Sequence, residues 1–536
     1  MSRWSVKMSA LFLILSLLLA PALQAQAPAA ATKAKPAAPQ KGGKAAAAPA
    51  AAKDPLEGLD QFVETLRADW KVPGVSIAIV RGEEVIYAKG FGQRNVAQNL
   101  PATADTLFAI GSCSKAFTAT ALAMLAEEGK LDWDKPLRTY LPTFKMWDDY
   151  VTEHMTPRDL VTHRSGLPRH DLLWYGAPFT RKEMFDRLRY LEPSRGFREA
   201  YQYQNLMFMT AGVLVEQAAG KSWEEFIRER FFAPLGMASS NTSVRDSQKA
   251  ADFALPYIEV KEQVNWTPFR NIDAIGPAGA INSSVREMAH WVIAQLNGGK
   301  FQGAAVIPEK ALAETHKPHT IMSATLRYDE LFYPMYAMGW AVNSYRGHTL
   351  VTHSGGIDGF TAHVSLMPKD KLGIVILTNK GGTRLTGILA YNVYDRLLGL
   401  EPAPWNQRNK DEVAKEREAQ EKAEKEGDAN RKADTQPSHA LGDYAGEFEH
   451  PGYGVLNIWE NSGRLNATYN GLNSALRHYH YDVFEATDAQ FNKMKFSFGL
   501  NGKGDVERIS VPLQSGVADI LFTRKATPAK QATANN

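Results

Sequence analysis

The sequence predicts an α+β protein of two folded domains, a larger mixed one followed by a small all-β one. Three observations carry this expectation. At 536 residues the chain exceeds what one compact core organises. Helix-like and strand-like patterns alternate from about Pro55 to about Glu401. A charged stretch then separates them from short alternating runs broken by Gly, Asn and Pro.

The totals narrow the function classes. Hydrophobic residues make up 44% of the chain, a globular value. Lys+Arg 61 against Asp+Glu 58 leaves a net charge of +3, which gives no basis for a nucleic-acid partner. No repeat of solenoid or propeller length occurs. The only cysteine is Cys113, so an intramolecular disulfide is impossible and stability must come from the core.

In chain order, Arg3 and Lys7 precede an apolar run from Met8 to Ala20 and the small residues of PALQAQA. This is the pattern of an export signal, with cleavage expected after Ala25 or Ala27; the run is short for a membrane span. The expectation is therefore an exported protein, periplasmic or secreted, with no stable membrane span once residues 1–25 are removed. Residues 26–54 are Ala/Pro/Lys-rich and read as a tether. LEGLDQFVETLRADW then places Leu59, Phe62, Val63 and Leu66 on one helical face. VSIAIVRGEEVIYAKGFG reads as a hairpin around an Arg-Gly-Glu turn. This mixed domain spans 55–402. Residues 403–440 are dominated by charge and alanine without an apolar stripe, and are expected to form a linker helix solvated on every side. Residues 441–526 form the all-β module.

Within the mixed domain one stretch carries chemistry. In FAIGSCSKAF, residues 108–117, Ser112 stands at the start of a helix-patterned run and Lys115 one turn later on the same face. A serine hydroxyl is a poor nucleophile until a neighbour takes its proton, and a partly buried lysine pushed toward its neutral form can do so. The helix start also aims N–H groups at developing negative charge. A serine there also fits an ordinary N-cap. This is the only S-x-x-K in the chain, and no G-x-S-x-G elbow of the α/β-hydrolase type occurs.

The segment FAIGSCSKAFTATALAMLAEEGKLDWDKPLRTYLP resembles the nucleophile region of the serine β-lactamase and penicillin-binding-protein superfamily. The resemblance is closest to its class C-like branch of D-aminopeptidases, alkaline D-peptidases and esterases. TPRDLVTHRSGLP, YQYQNLMFMTAGVLVEQAAGKSWEEFIRERFFAPLGM, YAMGWAV and VTHSGGIDGFTAHVSLMPKDKLGIVILTN follow in the family's order, so the likeness covers roughly residues 56–400. It implies a β-lactamase-like antiparallel-centred sheet flanked by helices, a helical subdomain over the site, and a barrel-like tail domain.

By the same resemblance, Ser112 is the acylated nucleophile and Lys115 its partner. Tyr203 shares proton transfer, a phenol beside an ammonium group being a credible base. Asn205 orients the substrate and the lysine. Where better-known members carry Lys-Thr/Ser-Gly, this chain has His353-Ser354-Gly355, followed by Gly356, whose N–H is expected to join that of Ser112 in an oxyanion hole. A histidine titrating near its usual value of about 6.5 would hold a substrate carboxylate weakly, which disfavours β-lactam hydrolysis. His163 and Ser165 read as turn residues, and His170 with Asp171 lacks a third ligand at metal spacing. No metal or organic cofactor is called for, and no oligomeric state is specified. The implied function is acyl-enzyme hydrolysis of amide or ester bonds in a peptide or small molecule, D-amino-acid-containing peptides or small esters above all. A carboxylesterase, a weak β-lactamase of the same fold, and a non-catalytic cell-wall binding or assembly protein are the alternatives.

Overall fold

The structure is a computed structural model that describes residues 54–526, apart from 430, 489, 490 and 492. The expected signal segment and all but the last residue of the tether lie outside the described residues. Among those described, no helix is long and apolar enough to cross a membrane.

The mixed domain is built on one nine-stranded sheet. Its strands are β1 (Gly74–Arg81), β2 (Glu84–Asn95), β3 (Leu100–Pro101), β4 (Thr320–Ile321), β5 (Met335–Tyr336), β6 (Ala341–Tyr345), β7 (His348–Ile357), β8 (Phe360–Met367) and β9 (Leu372–Thr378). They lie in the order β4-β5-β6-β7-β8-β9-β1-β2-β3, every neighbouring pair antiparallel. The β1–β2 hairpin turns at Gly82, where φ is +63°. The strand β1 is buried from Gly74 to Val80, which explains why it reads as a continuous apolar run rather than an alternation.

Helices cover both faces. On one, Leu59, Val63 and Leu66 of α1 (Leu59–Asp69) and Leu389 and Val393 of α5 (Leu385–Leu397) pack with Val75, Ile77 and Ile79. The other face belongs to a larger core holding α2 (Ser114–Glu127), α3 (Asn205–Ala219) and α4 (Val285–Leu296). In α2 every residue from Ser114 to Leu125 is buried, the pattern of a helix in the centre of a domain. Lys115 is therefore deep inside, and that sets its chemistry.

The charged stretch corrects one expectation. It is helical, α6 (Trp405–Ala429), yet its first turns are docked rather than solvated all round. Trp405 is buried, stacks near Tyr391 and donates from Nε1 to Tyr345 Oη at 3.1 Å. Arg408 pairs with Glu330, Glu412 with Arg384 and Arg327, and Lys410 with Asp69. Hydropathy reads apolar stripes, and this helix is held by one aromatic anchor and ion pairs. Trp405→Ala should destabilise the protein by about 3 kcal/mol, read as a lower midpoint in chemical denaturation.

The tail is a closed antiparallel barrel of eight strands. They are β10 (Gly446–His450), β11 (Gly454–Asn461), β12 (Arg464–Tyr469), β13 (Leu472–His480), β14 (Val483–Ala486), β15 (Lys495–Leu500), β16 (Val506–Val511) and β17 (Ile520–Arg524), closed by pairing of β10 with β17. Closure leaves no free sheet edge. Its interior residues, Phe448, Ile458 and Phe522 among them, are continuous with the larger core of the mixed domain.

Candidate active site

Ser112 sits in a single 3₁₀ turn, Gly111–Cys113, that runs straight into α2. Gly111 holds φ at +52°, and a Cβ there would stand 2.7 Å from the Gly356 nitrogen. The turn thus needs a glycine both for its backbone and for the strand pressed against it. Lys115 lies in the first turn of α2 and returns over Ser112, Nζ to Oγ at 3.0 Å. Its other partners are Asn205 Oδ1 at 2.8 Å and the Ala278 carbonyl at 2.7 Å.

The second contribution comes from the N-terminus of α3. Tyr203 donates from Oη to Ser112 Oγ at 2.6 Å. Asn205, the first residue of α3, faces Lys115 with its oxygen and donates from Nδ2 to Asp171 Oδ1 at 3.0 Å. Between them Gln204 is locked in place, its backbone N–H donating to His163 Nδ1 and its side chain to the Pro168 carbonyl. Asp171 also pairs with Arg169, whose guanidinium lies 4.9 Å from the centre of the Tyr203 ring.

Burial decides the charge states. Desolvation, aided by the Arg169 cation and opposed by Asp171, holds the Lys115 amine well below its ordinary value. A neutral amine has two hydrogens and one lone pair. In that form Asn205 Oδ1 and the Ala278 carbonyl would take the hydrogens, leaving the lone pair for the Ser112 proton. Tyr203 moves the other way, because burial raises its phenol despite the bond to Ser112. Burial thus favours the protonated phenol at Tyr203, the direction opposite to the one an ionised base would need.

The third side is β7. His353 and Gly355 are buried while Ser354 and Gly356 are exposed, the alternation a strand imposes. A Cβ on Gly355 would fall 1.9 Å from the Ile110 carbonyl and 3.2 Å from the Ser112 nitrogen. This close approach sets the Gly356 backbone beside the start of the nucleophile turn. The expectation for His353 is corrected. Its Nδ1 lies 2.6 Å from the Ser354 carbonyl and its Nε2 3.0 Å from Tyr336 Oη, and burial, followed by Lys115, lowers it to about 3. Neutral, with both ring nitrogens engaged, it offers a substrate carboxylate nothing. A cleft of about 330 Å³ lies here, lined by Tyr201, Tyr203, Met322, Tyr336, Ala341, Thr352, His353, Ser354 and His363.

Four contributors to the site went unread in the sequence: Arg169, Asp171, Tyr336 and the Ala278 carbonyl. Asp171 had a signal, since it follows the THRSGLP segment closely, but it was weighed only as a metal ligand. His163 is buried and neutral against the Tyr203 ring, and Ser165 accepts from the Leu167 N–H, so both serve the turn. Cys113 is buried, donates to the His353 carbonyl and is pushed up to about 12 by burial, so it is no competing nucleophile.

Comparison with known proteins bears on the family and the fold. A family model described as Beta-lactamase matches residues 59–396, and a second, described as a domain of unknown function (DUF3471), matches residues 430–524. The chain is 30% identical over 446 residues to "Unguisins hydrolase ungD'" of Aspergillus campestris, covering 77% of this chain and 79% of that protein. It is 28% identical over 342 residues to "Protein flp" of Staphylococcus aureus, covering 61% and 63%. The octameric penicillin-binding protein homologue from Pyrococcus abyssi superposes with a TM-score of 0.58 at 23% identity, covering 87% of this chain and all of that one. A class C beta-lactamase gives 0.53 at 21% identity, covering 64% and 96%. Fold and relatives together define a serine hydrolase. The chain belongs to the beta-lactamase family.

Proposed function

We propose that the chain is an exported serine hydrolase that cleaves amide or ester bonds through an acyl-enzyme, with Ser112 as nucleophile. The observation that carries the reading is one hydroxyl held between two groups of opposite disposition, an amine of lowered proton affinity at 3.0 Å and a phenol of raised proton affinity at 2.6 Å. Lys115 takes the Ser112 proton as Oγ attacks the carbonyl carbon. The Ser112 and Gly356 N–H groups stabilise the oxyanion. Tyr203 gives its proton to the departing amine or alcohol and recovers one from Lys115. Water then enters, loses its proton along the same path and releases the acid.

The cleft favours uncharged amide or ester substrates, small esters among them, over a β-lactam carboxylate. None of its nine lining residues is charged at neutral pH, since burial lowers His353 to about 3 and His363 to about 4. A relative named as a hydrolase supports turnover rather than binding alone. Export rests on the N-terminal sequence.

Ser112→Ala should abolish both hydrolysis and covalent labelling by a fluorophosphonate, while the variant stays folded. Labelling that persists would sink the assignment. Turnover of a short-chain p-nitrophenyl ester against that of a D-alanyl p-nitroanilide then separates esterase from peptidase.

A further inference from the structure

The acyl-transfer reading leaves one question about Asn205. An amide's oxygen and NH₂ ends are nearly the same shape, so something must decide which end faces Lys115. Asp171 does: its Oδ1 accepts from Nδ2 and so leaves Oδ1 of Asn205 for the amine. A flipped amide would donate to the Lys115 lone pair and block the site that receives the serine proton.

What holds Asp171 is not the hydrolase half alone. The residue before it, His170, is buried in the left-handed region at φ +46°, uncommon for a histidine and kept only by firm partners. Its backbone N–H donates to Gln514 Oε1 at 2.5 Å. Burial lowers its imidazole to about 4, so it is neutral. Nε2 lies 3.0 Å from the Glu192 carbonyl, which makes it the protonated nitrogen, and Nδ1 accepts from Tyr453 Oη at 2.6 Å. The residue after Asp171, Leu172, offers its carbonyl to Tyr469 Oη at 3.1 Å and Asn470 Nδ2 at 2.7 Å. Tyr453, Tyr469, Asn470 and Gln514 all belong to the barrel module.

We propose that the C-terminal barrel is a working part of the active site: its Tyr453, Gln514 and Asn470 are positioning residues that grip His170 and Leu172, so that Asp171 between them keeps Asn205 and Lys115 aimed at Ser112. The proposal rests on the Ser112 reading above. A barrel that merely added stability would have no reason to grip the two residues on either side of this carboxylate.

The arrangement makes a directional statement about pH. Lys115 faces Arg169 and Asp171 from this segment, Tyr203 from the start of α3, His163, Cys113 and His353. The two histidines are neutral and Tyr203 and Cys113 protonated. Loosening the segment admits water to the amine and withdraws Arg169, and both effects raise its proton affinity. The withdrawal of Asp171 opposes them but is the smaller effect. The acid limb of the rate profile therefore moves to higher pH.

The test is the rate of fluorophosphonate labelling against pH for the full chain, beside its thermal midpoint. Tyr453→Phe and Gln514→Leu should label between about tenfold and a hundredfold more slowly at neutral pH, with the acid limb shifted upward. Ile509→Val, inside the barrel and away from the segment, should change neither. Asn470→Ala supplies the same readout if either variant fails to fold. Folded variants with wild-type rate and limb overturn the proposal, as does slowing that is equal at every pH and follows only the fraction unfolded. Wild-type protein that does not label overturns the Ser112 reading itself and takes this proposal with it, a result told apart because it needs no variant.

Discussion

Lys115→Met is expected to give a folded protein whose turnover is lower by about a thousandfold, the scale of losing a positioned general base. Methionine keeps roughly the length of the lysine in this buried space and leaves Asn205 Oδ1 and the Ala278 carbonyl without their donor, a cost of about 1–3 kcal/mol. The wild-type pH profile should carry the matching signature. Lys115 must be unprotonated to act and its proton affinity is depressed, so the rate is full above its folded value and falls as pH drops through that value. The raised Tyr203 phenol keeps its proton across the neutral range and places any alkaline loss above the ordinary tyrosine region. His353, at about 3, contributes no limb near neutrality. A folded Lys115→Met within tenfold of wild type would refute the assignment of the base.

Gly355→Ala should cost at least about a hundredfold in turnover, the scale of a displaced oxyanion donor. One methyl group at 1.9 Å from the Ile110 carbonyl cannot be absorbed by a side chain, because the obstacle is backbone. The strand must therefore back away from the Ser112 turn, carrying the Gly356 N–H with it. Gly387→Ala, in α5 with nothing within 4 Å of the added carbon, is the matched control and should leave activity unchanged. Crystallography of the Gly355 variant would show the displaced strand, and an unmoved strand with full activity would remove the oxyanion argument.

These positions differ in how far the sequence revealed them. Ser112 and Lys115 were legible because a three-residue spacing on a helix is local geometry. Tyr203 and Asn205 were legible only through the family's segments, as nothing local links them to a serine some ninety residues away. The Ala278 carbonyl left no trace, since a backbone acceptor has no side chain to read. For His353 the strand's two-residue alternation could have shown that it and Gly355 face inward together, as the burial pattern bears out. The barrel's strands were visible as alternating runs. Its grip on His170 was not, because Tyr453 and Gln514 are unremarkable residues until folding brings them together.

The position of β1 has a temporal consequence. One of its neighbours is the adjacent β2, but the other is β9, with Val75 paired to Thr378. A partially translated chain can hold the Ser112 turn for a long interval with no Gly355–Gly356 strand to lean on it. The pair of backbone N–H groups proposed as the oxyanion hole is complete only once that distant strand has been made.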